Sequence, residues 1–268
     1  MTDAFRLRWQ HGTLVPTPAD GRPTVIDSWL VEDGRVRAFE RHVHRFAGSC
    51  GSVAGVSEQD VAAFMTAVAA RIPTDGRWFP RVELVAGRLE AWIRPAPQRG
   101  DHVRLWVYEG HDRRTAPTVK GPDLEHLLDL RSLAIEYGAD EAVIRSPRGH
   151  LLEGSTTSLM WWRDNTLCTP AATTQLLPSV TGSLLAQWAR ADGFAVQAES
   201  ATPSELSGLE VWTVNALHGV RPVTAWVNAD SVPGPATRAR QWQDRLDAAA
   251  TGAPTLSHAG SSQQGGTP

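Results

Sequence analysis

The order of the segments constrains this chain more than any single residue does. Short β-rich runs, TVIDSWLV, RVRAF, FPRVELVAG, RLEAWIRP and HVRLWVYEG, crowd the first half, and helical signals fall among them without a regular strand–helix–strand rhythm. A doubly wound parallel sheet needs a crossover after each strand, so the pattern predicts an α+β fold. Asp33-Gly34, between the first two runs, is a strong hairpin pair. ERHVHRFAGSC reads as a helix. Ser57 opens a second one in SEQDVAAFMTAVAARIP, where Ser57 and Asp60 have capping-box spacing and apolar residues recur at helical intervals.

The second half begins with a helix in DLEHLLDLRSLAIEYG, with Asp123 as its N-cap and Gly138 as its stop. Strand-like segments around turns follow, EAVIRS, HLLEG and TSLMWWRDNTLCTP. VTGSLLAQWARADG and ATRARQWQDRLDAAA read as helices on either side of FAVQAES and LEVWTVNALHGVRPV. There is no internal repeat. The expected organisation is a small N-terminal domain at 1–112, a linker at 113–118, a larger domain at 119–250, and a polar tail at 251–268 too rich in Gly, Ser, Thr and Pro to order.

With 268 residues, 41% hydrophobic content and a net charge of −3, the chain is long enough for one large or two smaller domains. A near-neutral balance argues against a nucleic-acid partner. The apolar runs are too short to span a membrane, and MTDAFRLRWQ carries no signal region, so the expected location is the cytoplasm. Cys50 and Cys168 stand far apart without metal-ligand spacing, which predicts buried free thiols and no metal site.

Among 26 lysines and arginines there is one lysine, Lys120, in APTVKGPD. Arginine serves surface charge and anion contacts at least as well, but its guanidinium stays protonated and cannot act as a nucleophilic amine. Coding bias toward arginine could also leave a single survivor by chance. Lys120 therefore needs partners before it becomes a catalytic candidate.

Those partners come as an ordered series. Lys120 is followed by the capped helix, then GADEAVIRSPRGHLLEGSTTSLMWW, LCTP, LLPSVTGSLLAQWA and TVNALHGVRPV. This succession resembles the class IV, or fold type IV, pyridoxal-phosphate enzymes, which include branched-chain and D-amino-acid aminotransferases and 4-amino-4-deoxychorismate lyase. The resemblance is strong from Lys120 to about Val223 and traceable in RVRAFERHVHRF. It implies a two-domain fold like that of D-amino-acid aminotransferase, pyridoxal 5'-phosphate as cofactor, a small-molecule substrate, and a homodimer with the active site near the interface.

Residue by residue, the resemblance makes Lys120 the amine that holds the pyridoxal aldehyde and later moves protons, which burial or a nearby positive charge would favour by lowering its pKa. Glu153 in LLEGST would face the pyridine nitrogen and keep it protonated. Val180 and Thr181 would bind phosphate at a helix start, where free N–H groups and the helix dipole favour an anion. Arg45 would reach the same phosphate, and Asn215 and Ala216 would close over phosphate and ring. Ser28 would sit on the substrate side.

The chain also departs from the pattern. The family's Tyr-Gly-Asp-Gly-x-Phe-Glu segment is replaced by one with Ile26, Asp27 and Ser28 at the nearest positions, its Thr-Arg is Thr181-Gly182, and its Asn after the glutamate is Ser158. Glu125 stands where branched-chain aminotransferases place a tyrosine, five residues after the lysine. Asp123 matches the short polar residue of the lyases, and NALHGVRPV is closer to the lyase version. These points favour a lyase that eliminates pyruvate. The alternatives are a class IV aminotransferase and a catalytically silent relative that only binds.

Overall fold

In the computed structural model, residues 4–171 and 176–253 are described. In chain order the elements of the first part are β1 (Phe5–Gln10), β2 (Thr13–Pro16), β3 (Pro23–Ser28), β4 (Val31–Glu32), β5 (Arg35–Val36), α1 (Phe39–Ala54), α2 (Glu58–Ala69), β6 (Arg77–Trp78), β7 (Arg81–Val85) and β8 (Arg88–Ile93). Those of the second part are β9 (Val103–Val107), α3 (Leu124–Glu136), β10 (Glu141–Arg145), β11 (Leu151–Gly154), β12 (Ser158–Arg163), β13 (Thr166–Pro170), α4 (Val180–Ala191), β14 (Ala195–Glu199), β15 (Val211–Asn215), β16 (Gly219–Trp226), α5 (Ala239–Ala248) and β17 (Thr251–Gly252).

The first sheet has the order β2-β1-β8-β7-β3 and is antiparallel throughout. The apolar faces of α1 and α2 cover it, burying Phe46, Phe64 and Met65 against Leu7, Leu84 and Ile93. Ser57 caps α2 as its spacing predicts: its Oγ accepts the Asp60 N–H at 3.1 Å and donates to the Asp60 carboxylate at 2.7 Å. Asp33 and Gly34 make the two-residue turn between β4 and β5, with φ of 47° and 70°. The run TVIDSWLV is not one strand. It stops at Ser28 and resumes at Val31 in a separate small sheet ordered β17-β5-β4-β6.

The second sheet is larger and mixed, with the order β11-β10-β9-β16-β15-β12-β13-β14. β9, which the sequence groups with the first-half strands, runs parallel to both β10 and β16 in this sheet. Its two faces are both covered: Val103, Leu105 and Val107 enter one core cluster and Trp106 another. A strand buried on both sides reads alike in either sheet, so the sequence does not reveal that the chain has already crossed over by Val103. α4 and α5 pack on a cluster of Trp162, Trp212, Trp242 and Phe194, with the three tryptophan rings 5.7–6.0 Å apart.

α3 ends as predicted: the Gly138 N–H bonds to Ile135 O and the Ala139 N–H to Ala134 O, the paired closure of a Schellman turn. Its start differs from the sequence reading. Asp123 precedes the helix, yet its φ and ψ of −92° and 6° lie outside the extended region an N-cap uses, and its side chain makes no capping bond. That carboxylate turns back to the preceding loop. The expected tail is also shorter at its start, because Thr251 and Gly252 pair with Val36 and Arg35; the rest, from 254 onward, lies outside the described residues. Cys50 and Cys168 are buried and free, and burial pushes both thiols up to about 12. No helix among the described residues is long and apolar enough to cross a membrane, and no group of three or more His, Cys, Asp or Glu there could hold a metal ion.

Candidate active site

A cavity of about 400 Å³ opens between the two sheets, and Ser28, Arg45, Lys120, Glu153, Val180, Thr181, Asn215 and Ala216 all line it. These residues come from six places in the chain, so the fold brings together every site residue that the sequence singles out. The volume falls in the range of small-molecule and cofactor sites. The stretch 113–118 is also part of its wall, through Arg114, Ala116 and Pro117.

The segment carrying Lys120 is pinned on both sides. Asp123 accepts the N–H groups of Thr115 and Ala116 and the Thr115 hydroxyl, each at 2.9 Å, which closes the loop 115–123. The Lys120 carbonyl accepts the Ile26 N–H at 2.7 Å, attaching the lysine to β3. Gly121 makes that attachment possible: its φ is 142°, and a Cβ there would lie 3.0 Å from both Thr24 O and Val25 Cα. Burial lowers the pKa of the Lys120 amine, Arg45 pushes it the same way, and the carboxylates of Asp27 and Glu153 oppose the shift. The neutral amine that a nucleophile or base requires is thus made more accessible.

At one end of the cavity Arg45, on α1, grips Asp27 with two bonds of 2.8 and 2.9 Å. Its remaining nitrogen donates to Pro178 O at 2.9 Å, two residues before α4 begins. Asp27 is fully buried and also accepts from His42 Nδ1 at 2.8 Å and from the Ser28 N–H at 2.7 Å. Burial alone would raise the Asp27 pKa, but Arg45 and His42 outweigh it and hold the carboxyl well below its ordinary value. Burial lowers the His42 pKa against the opposing pull of Asp27, to which its Nδ1 donates. At the start of α4, Ser179 Oγ accepts the Gly182 N–H at 3.1 Å. The N–H groups of Val180 and Thr181 are then the open donors of the first turn, beside Arg45.

At the other end Glu153, the third residue of β11, is 7% exposed. It pairs with Arg114 and accepts the Leu177 N–H at 3.2 Å. Burial pushes its carboxyl up to about 7, against the opposing pull of Arg114 and Lys120. Arg114 is itself shared, because Asp112 takes it with bonds of 3.0 and 2.8 Å. Between the two ends, the Asn215 side chain accepts the His218 N–H at 2.8 Å and donates to Thr156 O at 3.4 Å, setting the turn in which Ala216 lies. Ser28 is buried at the end of β3 and faces the cavity.

Several functional neighbours escape sequence reasoning. Arg81, Arg94, Arg114 and Arg131 all reach the cavity. Arg94 stacks 4.4 Å from the centre of Trp92 and 5.5 Å from that of Phe79, and burial with Arg81 nearby pushes it down to about 10. In a chain whose basic residues are nearly all arginine, no sequence signal separates these four from the rest. His42 carried a usable signal: it lies three residues before Arg45, so the two share one face of α1.

The donor set fits a phosphorylated aldehyde cofactor: an amine of lowered pKa, a buried carboxyl opposite an anion-binding helix start, and a cavity of about 400 Å³ between them. Comparison with known proteins agrees. No curated protein is detectably similar in sequence. Among solved structures, the fold IV-transaminase CpuTA1 from Curtobacterium pusillum superimposes with a TM-score of 0.74 at 21% identity, over 91% of this chain and 98% of that one. A hypothetical aminotransferase from Mycobacterium tuberculosis gives 0.75 at 19% identity, over 92% and 98%. A candidate 4-amino-4-deoxychorismate lyase from Legionella pneumophila gives 0.68 at 18%, over 86% and 94%. At these identities the structures speak for the fold, which is that of the fold type IV enzymes. Residues 24–226 match the family Amino-transferase class IV, and this chain belongs to that family of pyridoxal-phosphate-dependent enzymes.

Proposed function

We propose that the protein removes the Cα proton of a small amino-bearing carboxylic acid with Lys120 and eliminates pyruvate, as its resemblance to 4-amino-4-deoxychorismate lyase implies. The observation that carries the Cα chemistry is the pairing of Lys120, with its lowered pKa, and Glu153, with its raised one, across a single cavity. Pyridoxal phosphate, when bound, supplies an aldehyde that joins to amines and a ring that takes up electron density from Cα. Lys120 Nζ would be the amine that meets that aldehyde and the base that takes the Cα proton. Glu153 would stand at the ring nitrogen and hold a proton there. Arg45, the N–H groups of Val180 and Thr181, the Thr181 hydroxyl and the turn at Asn215 and Ala216 would hold the phosphate. Ser28 lies on the substrate side.

Elimination is favoured over amino transfer at one position near the lysine. Glu125, where the branched-chain enzymes carry tyrosine, is an exposed residue paired with Arg22, so no phenol reaches the cofactor from there. A second reading, an aminotransferase, is favoured by Asp123, whose carboxylate is occupied by Thr115 and Ala116 and does not stand free as a lyase residue would. The two are separated by supplying a panel of amino-bearing acids to the yellow enzyme. Pyruvate release without build-up of the pyridoxamine form supports elimination; the pyridoxamine form with release of a keto acid overturns it. The homodimer belongs to the same proposal, and Leu133 and Ile135 of α3 with Tyr137 just after it, 39%, 56% and 60% exposed, are apolar surface for it to cover. Sedimentation velocity measures it directly.

A further inference from the structure

The turn between β15 and β16 is gripped from behind. Arg37 Nη2 donates to Ala216 O at 3.0 Å and to Leu217 O at 3.4 Å, and Arg99 Nη2 donates to His218 O at 3.2 Å. Three successive carbonyls are therefore held by two guanidiniums on the side away from the cavity. Asp247, near the end of α5, lies 3.6 Å from Arg37 and 3.2 Å from Arg99 and joins the two. Gln243, one turn earlier on α5, donates to Asp247 at 2.9 Å and accepts the Val220 N–H at 2.7 Å. The backbone runs so close here that a Cβ at Gly219 would collide with Gln243 and Arg37. Arg37 also borders a small cavity with Val180, Thr181 and Ala216, directly behind the start of α4.

A trans peptide sends its C=O and its N–H to opposite sides. Carbonyls drawn outward by Arg37 turn the N–H groups of Leu217 and His218 inward. Asn215 Oδ1 takes the His218 N–H at 2.8 Å, whereas the Leu217 N–H has no acceptor among the described residues. Leu217 and His218 line the main cavity.

We infer that Arg37, Arg99 and Asp247 are positioning residues: from outside the cavity they fix the peptide planes of 216–218 so that the Leu217 N–H points inward as a preset donor to an anionic oxygen. That oxygen belongs either to the cofactor phosphate or to a substrate carboxylate. The inference rests on the reading of this cavity as the pyridoxal-phosphate site. It goes beyond that reading by making the C-terminal helix part of the binding apparatus. A donor held in place before binding costs nothing to orient when the anion arrives.

The test uses the full chain with Asp247→Ala, Arg37→Gln and the conservative Asp247→Glu. Asp247 is a partly exposed surface residue, so Asp247→Ala keeps the test open if Arg37→Gln fails to fold. In the cofactor-free protein, hydrogen exchange at 216–219 is expected to rise about tenfold in Asp247→Ala. Absorbance titration is then expected to show about tenfold weaker binding of pyridoxal phosphate if the oxygen is the phosphate's. If the oxygen is a substrate carboxylate, cofactor affinity holds and the spectral change induced by an amino acid requires about tenfold more of it. Asp247→Glu should return both readouts close to wild type. Unchanged exchange, or faster exchange with both affinities intact, overturns the inference. A wild-type protein that takes up no pyridoxal phosphate instead overturns the underlying reading of the site, a failure seen before any variant is made.

Discussion

The two ends of the cavity are each built on a buried carboxylate facing an arginine, yet they behave in opposite ways. Asp27 receives four donors: two from Arg45, one from His42 and the Ser28 N–H. Glu153 receives Arg114 and the Leu177 N–H, and Arg114 is already committed to Asp112. Burial raises both carboxyls, but it is outweighed at Asp27 and prevails at Glu153, which titrates near 7. A fully satisfied carboxylate is a fixed charge, and its use is to hold Arg45 rigid beside the α4 start. An under-satisfied one can release or keep a proton near neutral pH. Lys120 stands between them, within the field of both.

The largest effect should come from removing that middle group. Lys120→Ala is expected to lower turnover by at least ~10³-fold. After borohydride reduction it should also show no mass adduct at this position, where wild type shows one. Wild-type turnover in this variant would leave the two ends with nothing to act through. Next in size is Asp27→Asn, which strips Arg45 of its counter-charge inside the protein and should cost about 3–5 kcal/mol of stability. Because the Asp27 pKa is depressed in the fold, its stabilisation is complete above the ordinary value of 3.8 and is lost as pH falls below it. Wild type should therefore lose stability in acid more steeply than Asp27→Asn, as followed by urea unfolding from pH 5 down to pH 2.5.

Glu153→Gln probes the opposite sign. Its carboxyl rises from 4.5 to about 7, so between those values the folded state binds a proton that the unfolded state has lost, and cofactor-free stability falls as pH rises. The decline should be on the order of 2–3 kcal/mol and should flatten in Glu153→Gln. Equal slopes for the variant and wild type over this window would mean that the contrast between the ends does not reside in Glu153.

The parts of this arrangement that were legible in the sequence are those fixed by local chemistry. Lys120 stood out because no other residue in the chain can do its work, and the Ser57–Asp60 cap and the Asp33-Gly34 turn depend on neighbours only. The start of α4 at Val180 was readable for the same reason. What escaped is set by contacts between distant segments. Arg114 meets Glu153 across 39 positions, and Arg37 meets Ala216 across 179, with nothing in the pattern to single out either arginine from the others. Asp123 misled because a carboxylate before a helix ordinarily caps it, whereas here two loop amides compete for it and win. β9 misled because burial on both faces erases the alternation that would assign it to a sheet.

The smallest expected effect tests whether the two ends must be held at a set distance from the lysine between them. Gly121 lets the chain lie against β3 immediately after Lys120, at a φ of 142° and with backbone atoms 3.0 Å from where a Cβ would sit. Gly121→Ala places a methyl group into Thr24 and Val25, which are backbone contacts that cannot swing aside. The strain should cost about 1–3 kcal/mol of stability. It should also lengthen the bond between the Ile26 N–H and Lys120 O that anchors the lysine to the strand carrying Asp27. Moving the amine away from Arg45 and Asp27 while leaving Glu153 in place would shift its titration, read as the pH dependence of the visible chromophore. A variant with wild-type stability and an unshifted pH profile would show that Lys120 keeps its place without this attachment, and that the balance between the two ends is set elsewhere.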